Sequence, residues 1–182
     1  MAKAQYGILR FAKYKGPEIG NIEAHNERTK ETYASNPDVD TSRSQYNIHL
    51  IAPQDKYRKQ AEARIKECRC PRVCSNSVRV VEVLITASPE FFEDRNPAEI
   101  RTYFNHALSF LRSRIAPGNF ISAVVHMDEK TPHMHVSLCA RRAHVLRGES
   151  PESARQREGY SRSQGRHREV GSEGRWRQNA GL

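Results

Sequence analysis

Three histidines and two carboxylates lie within residues 126–135, on both sides of Pro132. The runs at 120–125 and 136–140 are apolar, rich in β-branched residues and short enough for buried strands. Side chains two residues apart in a strand project to the same face, about 6.6 Å apart. We therefore expect His133 and His135 to point together, and a hairpin turn would bring His126 alongside them.

Three imidazoles that converge from a rigid sheet can hold a divalent metal ion and leave coordination positions open for a substrate. A His-x-His pair alone is weak evidence, because histidine pairs also occur on half-exposed strand faces. The third histidine, the nearby acids and the strand-turn-strand context favour a metal site. The sequence therefore predicts His126, His133 and His135 as metal ligands.

His25 and Arg28 form a second pair that could do chemistry, since residues three apart on a predicted helix share one face. A guanidinium grips phosphate oxygens and a neutral imidazole supplies a lone pair, which suits phosphate chemistry. On spacing alone, an ordinary polar pair on a solvated helix is the better interpretation.

The cysteines at 68, 70 and 74 form a C-x-C-x₃-C pattern. A zinc site needs a fourth ligand, which His49 or His106 would have to supply by folding in. Because the ligand set is incomplete, we interpret Cys68, Cys70 and Cys74 as free thiols at the edge of a helix and a loop.

Composition and charge bound the class of protein. The 182 residues are enough for one domain with a substantial core, and they contain no apolar run near the length of a membrane span. The first residues lack the apolar segment of a secretion signal, so we expect a cytoplasmic protein with reduced thiols. A net charge of +9 favours nucleic acid as a partner, through phosphate neutralisation.

The hydrophobic pattern predicts an α+β domain, with a mainly antiparallel sheet and helices packed largely on one of its faces. Helices are expected over 22–33 with Asn21 as N-cap, over 55–67, and from Asn96-Pro97 onward. The last helix should bury a stripe of residues at 100, 104, 108, 111 and 115. Strands are expected at 4–11, 45–51 and 78–87 and in the two arms of the histidine hairpin.

The pattern stops near Arg142, and residues 143–182 are dominated by Arg, Gly, Ser and Glu. Residues 141–182 hold 10 Arg and 5 Glu, so this short part of the chain carries more than half of the excess positive charge. So polar a segment cannot bury enough apolar surface to offset the entropy of ordering. We predict a domain over 1–142 and a disordered tail over 143–182.

Several motifs occur together and in a fixed order. They are His25-Asn26-Glu27-Arg28, Asn36-Pro37-Asp38-Val39-Asp40, the runs at 44–50 and 83–92, and the histidine segment at 126–135. From about residue 4 to 140, this series resembles the Mob/Pre plasmid mobilisation (plasmid recombination) relaxases of the MobV group. The resemblance implies the relaxase fold of the histidine-hydrophobic-histidine endonucleases, with DNA crossing an antiparallel sheet.

The resemblance also implies a role for each motif residue. His25 would be the nucleophile, where most relaxases use tyrosine, and Arg28 would hold the scissile phosphate. Glu129 would orient or deprotonate His25, and Asn26 and Asn47 would join Arg28 as DNA contacts. The metal would be Mn²⁺ or Mg²⁺ on His126, His133 and His135, and the partner would be single-stranded plasmid DNA at a transfer origin, with conjugative coupling machinery as a further partner.

The implied reaction is a transesterification that nicks one DNA strand and leaves a free 3′-hydroxyl. A histidine–phosphate bond would retain the energy of the phosphodiester, so rejoining would need no ATP. Two other functions stay open: an inactive DNA-binding remnant, truncated or frameshifted near 140–142, and a metal-dependent endonuclease like a replication initiator. Tyr6 and Tyr46 stay possible nucleophiles, although we interpret both as half-buried strand tyrosines.

Overall fold

The computed structural model describes residues 5–30, 32–33, 36–68 and 74–140. The predicted tail at 143–182 and Cys70 lie outside these described residues. No helix in the described part is both long enough and apolar enough to cross a membrane.

A five-stranded sheet forms the centre of the domain, in the order β1-β3-β5-β4-β2 with every neighbouring pair antiparallel. The strands are β1 (Gly7–Lys15), β2 (Ile48–Ile51), β3 (Val78–Ala87), β4 (Phe120–His126) and β5 (His133–Cys139). The helices are α1 (Ile19–Asn26), α2 (Tyr57–Glu67), α3 (Pro89–Phe92) and α4 (Pro97–Arg112). The predicted α+β class with a mainly antiparallel sheet is thus confirmed.

Helices cover both faces of the sheet, so the prediction that they lie largely on one face is wrong. Side chains of α4 pack against the strand residues that point to one face, such as Val83, Met134 and Val136. Residues of α1 and α2, including Ile19 and Tyr57, form a second core on the opposite face. The central strands are therefore buried on both faces, which explains their nearly continuous apolar runs.

Helix α4 begins as its sequence predicts. The Asn96 side chain accepts hydrogen bonds from the backbone N–H groups of Ala98 and Glu99, and the Glu99 carboxylate accepts one from the backbone N–H of Asn96. The predicted stripe is confirmed, since the five residues at 100, 104, 108, 111 and 115 are all buried. A short helix not foreseen from the sequence, α3, lies between β3 and α4.

Helix α1 departs from its predicted span at both ends. It begins at Ile19, directly after a 3₁₀ turn over Gly16–Glu18, so Asn21 lies inside the helix instead of capping it. It ends at Asn26, because Arg28 adopts a left-handed backbone with φ 50°. A residue with a Cβ rarely takes this conformation. We therefore expect contacts of the Arg28 side chain with other parts of the protein to stabilise it.

The strand predicted over 45–51 begins only at Ile48. A 3₁₀ helix over Thr41–Tyr46 precedes it, and the side chain of Asp40 caps that helix by accepting from the N–H of Ser42. Strand β1 is longer than predicted, because it pairs with β3 along its whole length to Lys15.

The register of the sheet brings the hairpin histidines together on the face that carries α1. His126 pairs with His133 across β4 and β5, and His135 lies two residues further along β5, opposite Val124. On the other side of β5, His133 is opposite Thr86 and His135 opposite Leu84. Residues directly opposite in an antiparallel pair have Cβ atoms about 4.5–5.5 Å apart, so these side chains form adjacent rows.

Core burial by α4 gives a direct test of the packing. Phe104 is fully buried, whereas Phe110 on the outer side of the same helix is half exposed. Phe104→Ala should lower the free energy of unfolding by about 3–5 kcal/mol, because it removes a buried ring and leaves a cavity. The matched change Phe110→Ala should cost less than about 1 kcal/mol.

Urea denaturation followed by circular dichroism measures both values. Equal losses for the two variants would contradict the placement of α4 on the sheet.

Candidate metal centre and catalytic site

The three hairpin histidines form a nearly equilateral cluster. Their ring centroids are 5.2 Å apart for His126 and His133, 4.9 Å for His126 and His135, and 5.0 Å for His133 and His135. The sheet places all three side chains on one face, as the sequence predicts. The prediction that the hairpin brings the three rings together is thus confirmed.

Each of these rings has one nitrogen occupied by an acceptor of the protein. His126 Nε2 donates to the backbone oxygen of Asn26 at 2.9 Å, and His133 Nδ1 donates to that of Thr131 at 2.8 Å. A carbonyl can only accept, so these contacts assign the proton and leave lone pairs on His126 Nδ1 and His133 Nε2, of which the first accepts from Arg28 Nη2 at 3.0 Å in this structure.

The third ring is held by a carboxylate. His135 Nδ1 lies 3.1 Å from Glu82 Oε1 as an ion-pair contact, and neither of its buried ring nitrogens makes a hydrogen bond of regular geometry among the described residues. Metal-binding histidines usually have their second nitrogen held by a carbonyl or a carboxylate in this way. The residues present therefore fit a divalent metal ion.

Glu82 is a functional residue that sequence reasoning missed. It is buried on β3, where Tyr14 Oη and Asn26 Nδ2 also donate to it, at 3.2 and 2.8 Å. Burial raises the pKa of Glu82, but His135, Asn26 and Tyr14 outweigh burial and lower it below its usual value. One acid in the apolar run of β3 was the signal that could have found it.

His25 is the fourth ring of the site and comes from the last turn of α1. Its ring centroid lies 5.5 Å from that of His126 and 5.3 Å from that of His135. Its side chain is 29% exposed, compared with 0% for His126 and 10% for His135, so it is the most accessible of the three. Burial lowers the pKa of His25 to about 4, and His135 and Arg28 act in the same direction.

The nitrogen and carboxylate atoms that could hold a metal ion fall into two overlapping clusters within the described residues, and the predicted set of His126, His133 and His135 is not itself one of them. One contains His25, His126 and His135, and the other contains His126, Glu129 and His133. His126 belongs to both, and neither cluster includes a cysteine. Neither Cys68 nor Cys74 is in a disulfide, which agrees with our interpretation of these two residues as free thiols.

Arg28 connects α1 to the hairpin turn and is almost fully buried. It makes a two-point ion pair with Asp128, Nε to Oδ2 at 2.8 Å and Nη2 to Oδ1 at 2.9 Å. Nη2 also lies 2.6 Å from Glu129 Oε1 and 3.0 Å from His126 Nδ1. Burial acts to lower the pKa of Arg28, but its hydrogen bonds to Asp128 and Glu129 outweigh burial and raise it.

Asp128 is the buried anchor of the hairpin turn. Ser44 Oγ and Asn47 Nδ2 donate to its Oδ2 at 2.6 and 2.8 Å, in addition to Arg28. Burial raises the pKa of Asp128, but hydrogen bonds from Arg28, Ser44 and Asn47 dominate and hold it well below its usual range.

Glu129 faces the centre of the site from the same turn. Its Oε1 lies 3.6 Å from His133 Nε2, 3.8 Å from His126 Nδ1 and 3.9 Å from His25 Nε2. Asn36 Nδ2 donates to its other oxygen at 3.0 Å, a contact that sequence reasoning missed. Glu129 is therefore close to the nucleophile candidate and to two ligand candidates, but within hydrogen-bond distance of none of them.

The three residues expected to contact DNA are held inside the protein. The Asn26 side chain is buried and donates to Glu82 and Ser137, so it is not exposed in this structure, and the DNA contact expected of it stays a prediction. Both polar atoms of Asn47 are used, one by Asp128 and one by the backbone N–H of residue 127. Arg28 is equally engaged. All three shape the site from within.

The tyrosines also differ from expectation. Tyr6 and Tyr46 are 66% and 60% exposed, and neither lies in a strand, so the interpretation as half-buried strand tyrosines is wrong. A third tyrosine, Tyr33, meets the His25 ring edge-on with centroids 6.0 Å apart. Its hydroxyl donates to the backbone oxygen of Ala24 at 3.2 Å.

Comparison with known proteins places these residues in context. A family model described as plasmid recombination enzyme (Mob_Pre) matches residues 3–178. A plasmid recombination enzyme of Lactiplantibacillus plantarum is 38% identical over 136 residues, covering 73% of this chain and 37% of that protein. One of Bacillus thuringiensis is 33% identical over 135 residues, 74% of this chain and 30% of that protein. The chain thus spans about a third of the length of these relatives.

Solved structures give the same picture. A MobM relaxase domain bound to plasmid pMV158 oriT DNA, in an Mn-bound crystal at pH 6.8, superposes with a TM-score of 0.71 at 28% identity. The match covers 97% of this chain and 94% of that one. A second crystal at pH 5.5 gives a TM-score of 0.69 at 27% identity, covering 95% of each chain. The family match continues beyond residue 142, and the predicted domain boundary there stays a prediction.

The contact between Glu82 and His135 predicts the metal affinity of the centre. Glu82→Gln should weaken Mn²⁺ binding about 10- to 100-fold, because such outer partners hold the ring and increase its basicity. Electron paramagnetic resonance of free Mn²⁺ in a titration measures the affinity without any DNA.

Glu93→Gln, at an exposed position after α3, is the matched control and should bind Mn²⁺ like the unchanged protein. Unchanged affinity in Glu82→Gln, with the fold intact by circular dichroism, would contradict the role of Glu82.

Proposed function

The chain belongs to the plasmid recombination enzyme (Mob/Pre) family, and on this premise we propose that it is a metal-dependent relaxase. It would nick one strand of plasmid DNA at a transfer origin by transesterification, with His25 as the nucleophile. The observation that carries the proposal is the convergence of His25 with the three hairpin histidines and with Glu129. Because plasmid DNA is the substrate, the reaction would take place in the bacterial cytoplasm.

His126, His133 and His135 would hold the metal, preferentially Mn²⁺ or Mg²⁺. Three neutral imidazoles leave a divalent ion its full charge, so when bound it supplies Lewis-acid stabilisation of the anionic phosphodiester. The acceptors on Asn26, Thr131 and Glu82 support this assignment, since each holds the second nitrogen of one ring.

His25 is suited to attack because its lowered pKa keeps it neutral at cellular pH. A ring nitrogen would form a bond to phosphorus while the P–O3′ bond breaks, and the departing 3′-oxygen takes a proton. The N-phosphorylated ring, now an imidazolium, then loses the proton on its other nitrogen, which leaves a neutral ring joined to an anionic phosphoryl group, a phosphoramidate. Glu129, with Oε1 3.9 Å from Nε2, is the nearest carboxylate to orient the ring or accept that proton.

Arg28 fits a positioning role better than the phosphate-gripping role implied by the family resemblance. It donates to Asp128, Glu129 and the backbone oxygen of His25, the last at 2.9 Å. In this arrangement its N–H groups are aimed at protein acceptors, so it fixes His25 relative to the hairpin. Holding the reacting groups in a fixed geometry can account for a large part of the rate acceleration of a group-transfer reaction.

The identity of the nucleophile is tested by covalent capture. His25→Ala, incubated with Mn²⁺ and labelled single-stranded origin DNA of its own plasmid, should lose the protein–DNA adduct by at least about 10²-fold, as expected when a nucleophile is removed. Tyr6→Phe, Tyr33→Phe and Tyr46→Phe should keep it, and denaturing electrophoresis measures the adduct.

An adduct that persists in His25→Ala but disappears in one tyrosine variant would contradict the assignment. Binding without cleavage would favour a DNA-binding remnant, and cleavage with both DNA ends free would favour an endonuclease that uses water.

The metal requirement is tested separately. Chelation should abolish the adduct and added Mn²⁺ should restore it, because the phosphate charge must be neutralised. His133→Ala should need at least about tenfold more Mn²⁺ than the unchanged protein. The control His106→Ala, on the exposed side of α4, should need the same Mn²⁺ concentration as the unchanged protein. If His133→Ala also needed no more Mn²⁺ than the unchanged protein, the assignment of His133 as a ligand would be contradicted.

A further inference from the structure

A cavity of about 410 Å³ opens on the sheet beside the metal centre. Its volume falls within the range of about 300–1,000 Å³ that is usual for small-molecule sites. One side is formed by groups of the site itself, His25, Glu129, His133 and His135. The other side is largely apolar and is lined by Ile8, Leu84, Ala87 and Pro89, with Thr86 between them.

The strand register explains why these aliphatic residues meet the histidines. Leu84 on β3 lies opposite His135, and Ile8 on β1 lies opposite Thr86, which is itself opposite His133. From the metal centre toward the β1 edge of the sheet, the surface therefore changes from imidazoles to aliphatic side chains. Ile8 and Leu84 are only partly buried, so part of this apolar surface faces the cavity.

The next position on this path is basic. Arg10 is exposed and lies opposite Leu84 on the edge strand β1. The backbones of Arg10 and His135 are thus two strand spacings apart, about 10 Å. The order along the surface is metal centre, apolar cavity and guanidinium.

This order matches the repeat of a DNA strand, in which one nucleoside separates two successive phosphates. An aliphatic wall cannot neutralise a phosphate, but it can cover the apolar faces of a deoxyribose and a base. A guanidinium beyond it can neutralise the next phosphate, since arginine is well suited to phosphate recognition.

We propose that this cavity holds the nucleoside adjacent to the scissile phosphate and that Arg10 binds the phosphate beyond that nucleoside. The strand then leaves the metal centre across β3 and β1. The proposal rests on the proposed relaxase function, which it deepens by naming a nucleoside subsite and the direction of the strand.

The alternation of side chains along β1 provides matched controls. Ile8 and Arg10 point to the face of the metal centre, whereas Leu9 and Lys13 are exposed and point to the opposite face. Ile8→Ala is therefore compared with Leu9→Ala, and Arg10→Gln with Lys13→Gln. Each control changes the same strand and a similar side chain without touching the cavity.

The experiment measures binding by fluorescence anisotropy in the presence of Mn²⁺, with a thymidine homopolymer and an abasic strand of the same length as probes. Ile8→Ala should reduce the preference for thymidine over the abasic strand roughly fivefold, because apolar contact area with the nucleoside is lost. Arg10→Gln should reduce the slope of log affinity against log salt by about 0.7, the value for one single-strand phosphate. Leu9→Ala and Lys13→Gln should match the unchanged protein.

The proposal is overturned if the unchanged protein shows no preference for the thymidine strand, or if each variant behaves like its control. Thermal unfolding of every variant shows whether a loss reflects the fold, and an unfolded Ile8→Ala is replaced by Ile8→Thr at the same position. Because this readout is equilibrium binding, it is separate from adduct formation. A protein that binds as expected but forms no adduct contradicts the proposed function and supports the subsite.

Discussion

The ion pair between Arg28 and Asp128 is the interaction on which the rest of the site depends. Asp128 is fully buried and Arg28 nearly so, and removing one partner of such a pair typically costs about 3–5 kcal/mol because a charge stays behind unpaired. Three separate parts of the chain meet at it: the end of α1, the hairpin turn, and the segment before β2 that supplies Ser44 and Asn47. Of the two residues that could react, Glu129 directly follows Asp128, and His25 lies three residues before Arg28.

This arrangement divides the polar residues of the site into two kinds. Asn26, Asn47 and Asp128 spend their hydrogen bonds inside the protein, so they stabilise the geometry and leave no polar group for a ligand. The groups that line the open cavity, such as His25, Glu129 and His133, keep donors or lone pairs available. The geometry of the exposed groups therefore depends on this buried polar network, in which Asn26 Oδ1 is an atom without a hydrogen-bond partner among the described residues. An unsatisfied buried polar atom is costly at low dielectric.

Local patterns in the sequence were sufficient for much of the fold. Strand β3, the start of α4 and the two arms of the hairpin follow from short-range apolar periodicity and from the cap at Asn96. The end of α1 could not be read in the same way, because it depends on a contact between Arg28 and Asp128 that spans a hundred residues. For the same reason, Asn26 resembled a surface ligand in the motif, although its side chain reaches inward to Glu82 on β3.

The backbone at Arg28 has a consequence for how this protein can change. A left-handed conformation costs a residue with a Cβ about 1–2 kcal/mol, and glycine would remove that cost. Glycine would also remove the guanidinium that joins α1 to the hairpin. The residue that best fits the backbone conformation at position 28 would therefore abolish the ion pair with Asp128. The contact between the Arg28 side chain and Asp128 therefore keeps the loop after His25 in a strained conformation. If that contact were lost, residues 27–29 would be free to continue α1 by another turn, and His25 would move with them.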